Sequence, residues 1–257
     1  MKKYDLEFES KKIENIKKMG NAPDLDSSSR DWMKKSASFN YVYNFDWLNT
    51  PIIQFPQDII AMQELIFKHE PDLIIETGVA RGGSVLFSAS MLALLDLRES
   101  ISGDTTFEKK RKVIGVDIDI RKHTIEAIND EPLSKYVELI EGSSIEQSTI
   151  DEVHKSAKGY NNVMLFLDSN HTHDHVLAEL NGYQDLIKSG GYIVVYDTSI
   201  EWDDSEYWED TREWGPGNSP RSAIGEFIKN HLDFKIDKSI SDKLQITVAP
   251  EGFLKRD

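Results

Sequence analysis

From residue 58 onward, short apolar runs alternate with stretches of helical period. The runs are "DLIIE", "KVIGVD", "YVELIE", "VMLFLD" and "YIVVYD". Each is almost continuously apolar, as strands are when both faces of their sheet are covered. The stretches between them predict helices that begin near Ser84, Arg121, Ile145 and Asp174. This alternation predicts a parallel sheet with helices on both faces. One helix precedes the first run: "DIIAMQELIFKHE" carries Ile59, Ile60, Met62, Leu65 and Ile66 behind a capping Asp58. Near the end, a helix around 222–230 is followed by "FKID" and "LQITVA", which suit an antiparallel edge hairpin. The expected fold is α/β, Rossmann-like, a doubly wound and mostly parallel sheet with an antiparallel edge strand. Residues 98–112, "RESISGDTTFEKKRK", read as a charged surface insertion.

The first 57 residues follow a different pattern. They are polar and then aromatic-rich, with Phe39, Tyr41, Tyr43, Phe45, Trp47 and Phe55 in a short span. The alternation of Tyr41, Tyr43 and Phe45 predicts a strand. The stripe suits a core edge or an oligomer interface, and less often a ligand. Residues 1–57 are expected to form an extension or cap on a single domain at 58–257.

Composition removes several classes. The chain has no cysteine, which excludes disulfides, thiolate zinc sites and a cysteine nucleophile. A net charge of −15 argues against a nucleic-acid surface. No apolar run reaches the roughly 18 residues of a membrane span, and the lysine-bearing start has no apolar core of a secretory signal. A cytoplasmic location is the expectation. An anionic substrate would need a local basic patch, for which Arg81, Arg212 and Arg221 are the candidates.

The five runs all end in a carboxylate: Glu76, Asp117, Glu141, Asp168 and Asp197. In an open α/β sheet, ligands bind outside the carboxyl ends of the strands, so these acids are expected to face one crevice. "IIETGVARGGSVLFSA" puts Glu76 at a strand end, Gly78, Gly82 and Gly83 in the turn, and Ser84 at a helix start. The spacing is not that of a dinucleotide fingerprint, and there is no phosphate-binding lysine. A carboxylate ahead of the glycines repels phosphate but suits S-adenosylmethionine (SAM), which carries an ammonium and a sulfonium. Asp117 is placed for the ribose hydroxyls, and Ser143 and Ser144 of "EGSS" for the adenine edge.

"LDSNHTHDH", from Leu167 to His175, admits three readings. A zinc hydrolase would use the histidines as ligands, but it leaves the glycine turn and Asp117 without a task. A polar loop with one helix cap is the plainest. In the third, Asp168 and Asp197 end neighbouring parallel strands and converge on magnesium or manganese, which prefer oxygen ligands. A neutral histidine then takes the proton of an acceptor hydroxyl. His171 is the first candidate base and His173 the second. Asp174 reads as a helix cap and His175 as first-turn structure. The segment 201–221, with Trp208, Arg212, Trp214 and Arg221, is placed to cover an acceptor.

Taken together, "ETGVARGGS", "GVDIDIR", "EGSS", "LDSNHTHDHVLAEL" and "GPGNSPRSAIGEF" resemble the cephalosporin hydroxylase family. The resemblance runs from "NTPIIQFPQD" to the end of the chain. It implies a class I methyltransferase fold, SAM and a magnesium ion held by Asp168 and Asp197, with O-methylation of a sugar hydroxyl. Relatives often carry two adjacent acids at the second ligand position, where this chain has Tyr196 and Asp197. Asn170, Glu201 or water then stand as third ligand, and Asn170 occupies a place where some relatives carry an acidic base. The expected acceptor is a sugar, as a nucleotide sugar or glycoside, in polysaccharide or natural-product synthesis, with a homo-oligomeric enzyme. A β-lactam tailoring component and a non-catalytic SAM-binding partner are the alternatives.

Overall fold

The computed structural model describes residues 3–103, 111–202 and 212–257. Helices α1 (Lys3–Gly20) and α2 (Pro23–Ala37) lead into a two-stranded hairpin, β1 (Asp46–Trp47) with β2 (Thr50–Pro51). Helix α3 (Pro56–His69) starts the alternating region. There follow β3 (Leu73–Thr77), α4 (Gly83–Ser102), β4 (Lys112–Asp117), α5 (Lys122–Asp130) and β5 (Val137–Glu141). Then come α6 (Gln147–Ser156), β6 (Val163–Leu167), α7 (His173–Tyr183), β7 (Tyr192–Val195) and α8 (Pro220–Asn230). The chain ends with β8 (Phe234–Ile236), α9 (Lys238–Leu244) and β9 (Phe253–Arg256).

The five apolar runs form five adjacent parallel strands in a seven-stranded sheet of order β5-β4-β3-β6-β7-β9-β8. Strand β9 runs antiparallel to both β7 and β8 and supplies the expected antiparallel edge. Side chains alternate across the sheet. Ile74, Met164, Phe166 and Val194 enter the core under α3 and α4, whereas Leu73, Ile75, Leu165 and Ile193 enter the core under α7 and α8. Burying each such side chain stabilises the fold by about 1.5–3 kcal/mol, which is why these strands read as unbroken apolar runs. The connection from β3 leads to β4 on one side, and the chain later returns to β6 on the other. The crevice between the carboxyl ends of β3 and β6 is thus a topological switch point.

Four local expectations are corrected. Tyr41–Asn44 is a 3₁₀ turn after a left-handed Asn40 (φ 49°), not a strand. Its alternation arises because Tyr41 packs on Trp32 (ring centroids 4.9 Å apart) and Phe45 (5.1 Å). Asp58 does not cap α3, which begins after Phe55 with Pro56 in its first turn. The Asp58 side chain is buried and accepts hydrogen bonds from the Thr247 hydroxyl and the Val248 N–H. Those bonds keep "LQITVA" from strand pairing, and "FLKR" at 253–256 is the edge strand instead. Finally, α4 continues to Ser102 and Arg111 returns to its side, bonding Asp96 and Glu99. Residues 98–103 and 111–112 are therefore structural, while 104–110 lie outside the described residues.

Candidate active site

The glycine turn between β3 and α4 is built around close approaches. Gly78 has φ +89°, and a Cβ on it would stand 2.0 Å from the Asp168 carbonyl oxygen. Gly83 would likewise strike the Pro51 carbonyl. Glycine at these two positions brings β3, β6 and the β2 segment into contact at the sheet's carboxyl edge. Gly82, also left-handed, opens α4, with Gly83 as its first residue.

At that edge Asp168 follows β6 and Asp197 follows β7, one strand away, as the register predicts. Asp197 occupies the left-handed region (φ 54°), unusual for a non-glycine residue. His171 joins them, and one ligand atom from each of the three residues lies within 4.8 Å of the others. His171 Nδ1 is 3.5 Å from Asp197 Oδ2, and its ring meets Trp214 edge-on at 5.1 Å. Burial, the Asp197 carboxylate and then Glu76 push the Asp168 carboxyl well above the ordinary carboxylate range. Gln54 donates from Nε2 to Asp168 Oδ2 at 3.0 Å. Negative groups gathered with one imidazole, and repelling one another, suit a divalent cation.

A cavity of about 820 Å³ opens over this group. Gly78, Arg81, Gly82, Gly83 and Ser84 form its floor together with Asp168, His171 and Asp197. Trp202, Arg212 and Trp214 also line it, as do residues of α2 with Tyr41 and Phe55. The two groups touch where Arg30 lies 5.0 Å over the Trp202 ring. Arg212 stacks on Trp214 at 5.3 Å.

The other sequence candidates divide clearly. Glu76 is buried, takes a hydrogen bond from Ser84, and is raised to about 7 by burial. It faces a second, small cavity beneath the site, shared with Gln54, Asp168 and Tyr196, and not the large one. Asp117 holds the glycine turn: Oδ2 accepts from Val79 N (2.8 Å) and Ala80 N (3.1 Å), and Oδ1 from Asp119 N. Arg81 bonds His123 at the rim. Ser143 is half-buried, whereas Ser144 turns inward and donates to Glu179 Oε1 at 2.6 Å, beside His175 and Ser169.

Four expected site residues are spent elsewhere. His173 bonds Ser222 through Nδ1 (2.8 Å) and lies 3.3 Å from Glu226, so it braces α7 against α8. Asn170 Oδ1 accepts from the Thr172 N–H and hydroxyl, which makes it a turn residue rather than a ligand. Thr172, not Asp174, is the residue before α7, and Asp174 sits in its first turn. Glu201 accepts from Gly217 N and the Ser219 hydroxyl. Arg221 pairs with Glu251 at 2.7 Å and does not line the cavity. Trp208 lies outside the described residues. Gln54 and Arg30 escaped the sequence reading, whereas Trp202 falls in the segment 201–221 placed over the acceptor. Only Gln54 left a signal, a polar residue inside the apolar "PIIQFP".

The family model for Rhamnosyl O-methyltransferase/CmcI matches residues 39–257. The chain belongs to that family. Rhamnosyl O-methyltransferase of Mycobacterium tuberculosis (strain ATCC 25618 / H37Rv) is 27% identical over 224 residues, covering 84% of this chain and 82% of its own. Its namesake in Mycobacterium leprae (strain TN) is 26% identical over 222 residues, covering 84% and 86%. Among solved structures, CmcI with magnesium and SAM superimposes with a TM-score of 0.59 at 15% identity, over 84% of this chain and 77% of that one. An O-methyltransferase from Bacillus cereus in complex with SAH gives 0.52 at 16%, over 81% of each chain. These structures share the class I methyltransferase fold expected from the sequence. The enzyme class expected from the motifs, a SAM-dependent O-methyltransferase, is that of the Rhamnosyl O-methyltransferase/CmcI family.

Proposed function

We propose that the protein transfers the methyl group of SAM to a hydroxyl of a sugar, with a divalent cation of the magnesium or manganese type beside the cofactor. The observation that carries this reading is the convergence of Asp168, His171 and Asp197 beside the glycine turn, on the floor of one large cavity. The donor set fits such an ion: two carboxylates supply hard oxygen ligands, and burial, with the Asp197 and Glu76 carboxylates nearby, raises the Asp168 carboxyl. When bound, the cation supplies Lewis-acid polarisation that acidifies an acceptor hydroxyl and holds it in line. Asp168 and Asp197 hold the ion. His171, oriented by Asp197 and Trp214, takes the hydroxyl proton. Its membership of the same cluster favours a second reading, in which it is the third ligand that Tyr196 cannot be. Replacement by alanine separates the two: a base costs turnover by about 100-fold and spares metal affinity, whereas a ligand costs both.

The remaining assignments extend this reading. Gly78 to Ser84 cradle the methionine part of SAM, with Asp117 and Ser143 on the adenosine side. Trp202, Arg212 and Trp214 receive the sugar, and Arg212 suits the diphosphate of a nucleotide sugar. The name of the mycobacterial relatives makes a rhamnosyl group the first acceptor to try. A role in polysaccharide or natural-product synthesis, in the cytoplasm, is consistent with it. Among the described residues no helix is long and apolar enough to cross a membrane. Residues 1–57 act as the cap over the acceptor, and exposed Leu6, Phe8 and Ile13 on α1 favour a homo-oligomer. Calorimetric titration of SAM into EDTA-treated protein, repeated with magnesium, manganese and zinc, tests the core of the proposal. Methyl transfer from labelled SAM to rhamnosyl glycosides and nucleotide sugars follows. Absence of SAM binding together with tight zinc binding would restore the hydrolase reading.

A further inference from the structure

Gln54 lies 114 residues before Asp168 in the chain, yet their side chains touch. Its position is fixed from both sides. Ile52 and Phe55 are buried, and the preceding Pro51 carbonyl presses against Gly83. The Gln54 side chain is 5% exposed and lines both the large cavity and the small one beneath it. Nε2 donates to Asp168 Oδ2, while Oε1 is buried and has no hydrogen-bond partner. A buried amide oxygen is costly to leave unpaired, and such orphans in native proteins call for an explanation.

We propose that Gln54 is a positioning residue for the cation site. Its NH2 group fixes the Asp168 carboxylate in its ligating orientation, and its Oε1 accepts a hydrogen bond from a water on the ion. An acceptor and a donor on one rigidly held amide suit this bridging role, since ligating carboxylates are themselves hydrogen-bonded by outer partners. The inference rests on the cation site proposed above. It also gives the N-terminal segment a part in the chemistry, beyond covering the acceptor.

Two variants test it, Gln54→Met and Gln54→Asn, with Mn2+ alone as the probe and binding followed by electron paramagnetic resonance. Methionine matches the shape without either polar group, and asparagine keeps both groups but is one methylene short. In both, Mn2+ affinity should fall by about 10- to 100-fold. The metal-free melting temperature of Gln54→Met should stay within a few degrees of the parent, because the orphan oxygen goes with the amide. A merely structural glutamine would show the reverse, a lower melting temperature with unchanged affinity. Affinity within twofold of the parent in both variants overturns the inference while leaving the cation site standing. A parent protein that binds no Mn2+ overturns both.

Discussion

The backbone of Gly78 rests against the carbonyl of Asp168, so that a single added methyl group would stand 2.0 Å from that oxygen. The contact joins the glycine turn to the first residue after β6, across the switch point of the sheet. Ala at position 78 meets both an occupied space and a backbone angle that L-residues avoid. Gly78→Ala should therefore lower stability by about 2 kcal/mol or more and abolish SAM binding. Urea unfolding and calorimetry read the two effects, and a variant that binds SAM normally would show that the turn tolerates a Cβ.

Asp168 is buried beside the Asp197 carboxylate of the neighbouring strand, and both burial and that carboxylate make its ionised form costly. Asp168→Asn removes this cost, so the metal-free protein should gain stability, on the order of 1 kcal/mol or ~3 °C. If the proposed cation site holds, the same change removes a ligand and should weaken Mn2+ binding by more than the roughly 100-fold typical of outer partners. Gain of melting temperature with loss of metal response is the expected pair. A variant that still binds Mn2+ as the parent does would remove Asp168 from the ligand set.

Buried acids elsewhere set a pH dependence. Burial raises Asp58 from its ordinary 3.8 to about 7, partly opposed by its bonds from Thr247 and Val248. Between those values the folded chain keeps a proton that the unfolded chain has lost. The contribution of Asp58 to stability is thus full below about pH 4, declines as pH rises toward 7 and is flat above it. Glu76, raised to about 7 by burial, acts in the same sense. Asp58→Asn should flatten this decline in EDTA-treated protein. Unfolding free energies at pH 5, 6, 7 and 8 provide the check, and an unchanged slope would assign it to other groups.

Arg111 is the fourth test. Its guanidinium is held by Asp96 and Glu99 of α4, and Tyr136 donates to the same Asp96 at 2.7 Å. These carboxylates hold the Arg111 guanidinium above its ordinary value, and only 12% of the side chain is exposed. Arg111→Ala leaves two acids without their cation and should cost about 3 kcal/mol in thermal or urea unfolding. A loss below about 1 kcal/mol would return residue 111 to the class of solvated surface charges.

The centre of the sheet was legible because β3, β4, β6 and β7 are buried on both faces, so that each announces itself as an apolar run closed by an acid. Asp168, Asp197 and the glycine turn were legible for the same reason, being placed by strand ends. The histidines were not separable by spacing. Whether His171 or His173 turns toward the cavity depends on the start of α7, where Thr172 and Asn170 settle the chain, and on Ser222 and Glu226, about 50 residues later. Asp58 was misread for a related reason: a carboxylate near a helix start looks like a cap until its partners at Thr247 and Val248 are known. Arg221 is another case, since Glu251 claims it from outside the loop. In each instance a local motif was outweighed by a partner far along the chain.

The Gln54–Asp168 contact also has a bearing on how the chain comes to be folded. During synthesis the segment around Gln54 leaves the ribosome long before β6, and for that interval its apolar neighbours Ile52 and Phe55 have no strand edge to settle against. The pocket is therefore closed by a long-range docking step, of the kind that slows folding and leaves sticky surface exposed meanwhile. Catalytic competence should be acquired late, after the central strands have paired, and the amino-terminal fifth of the polypeptide then depends on the rest of the chain for its own conformation.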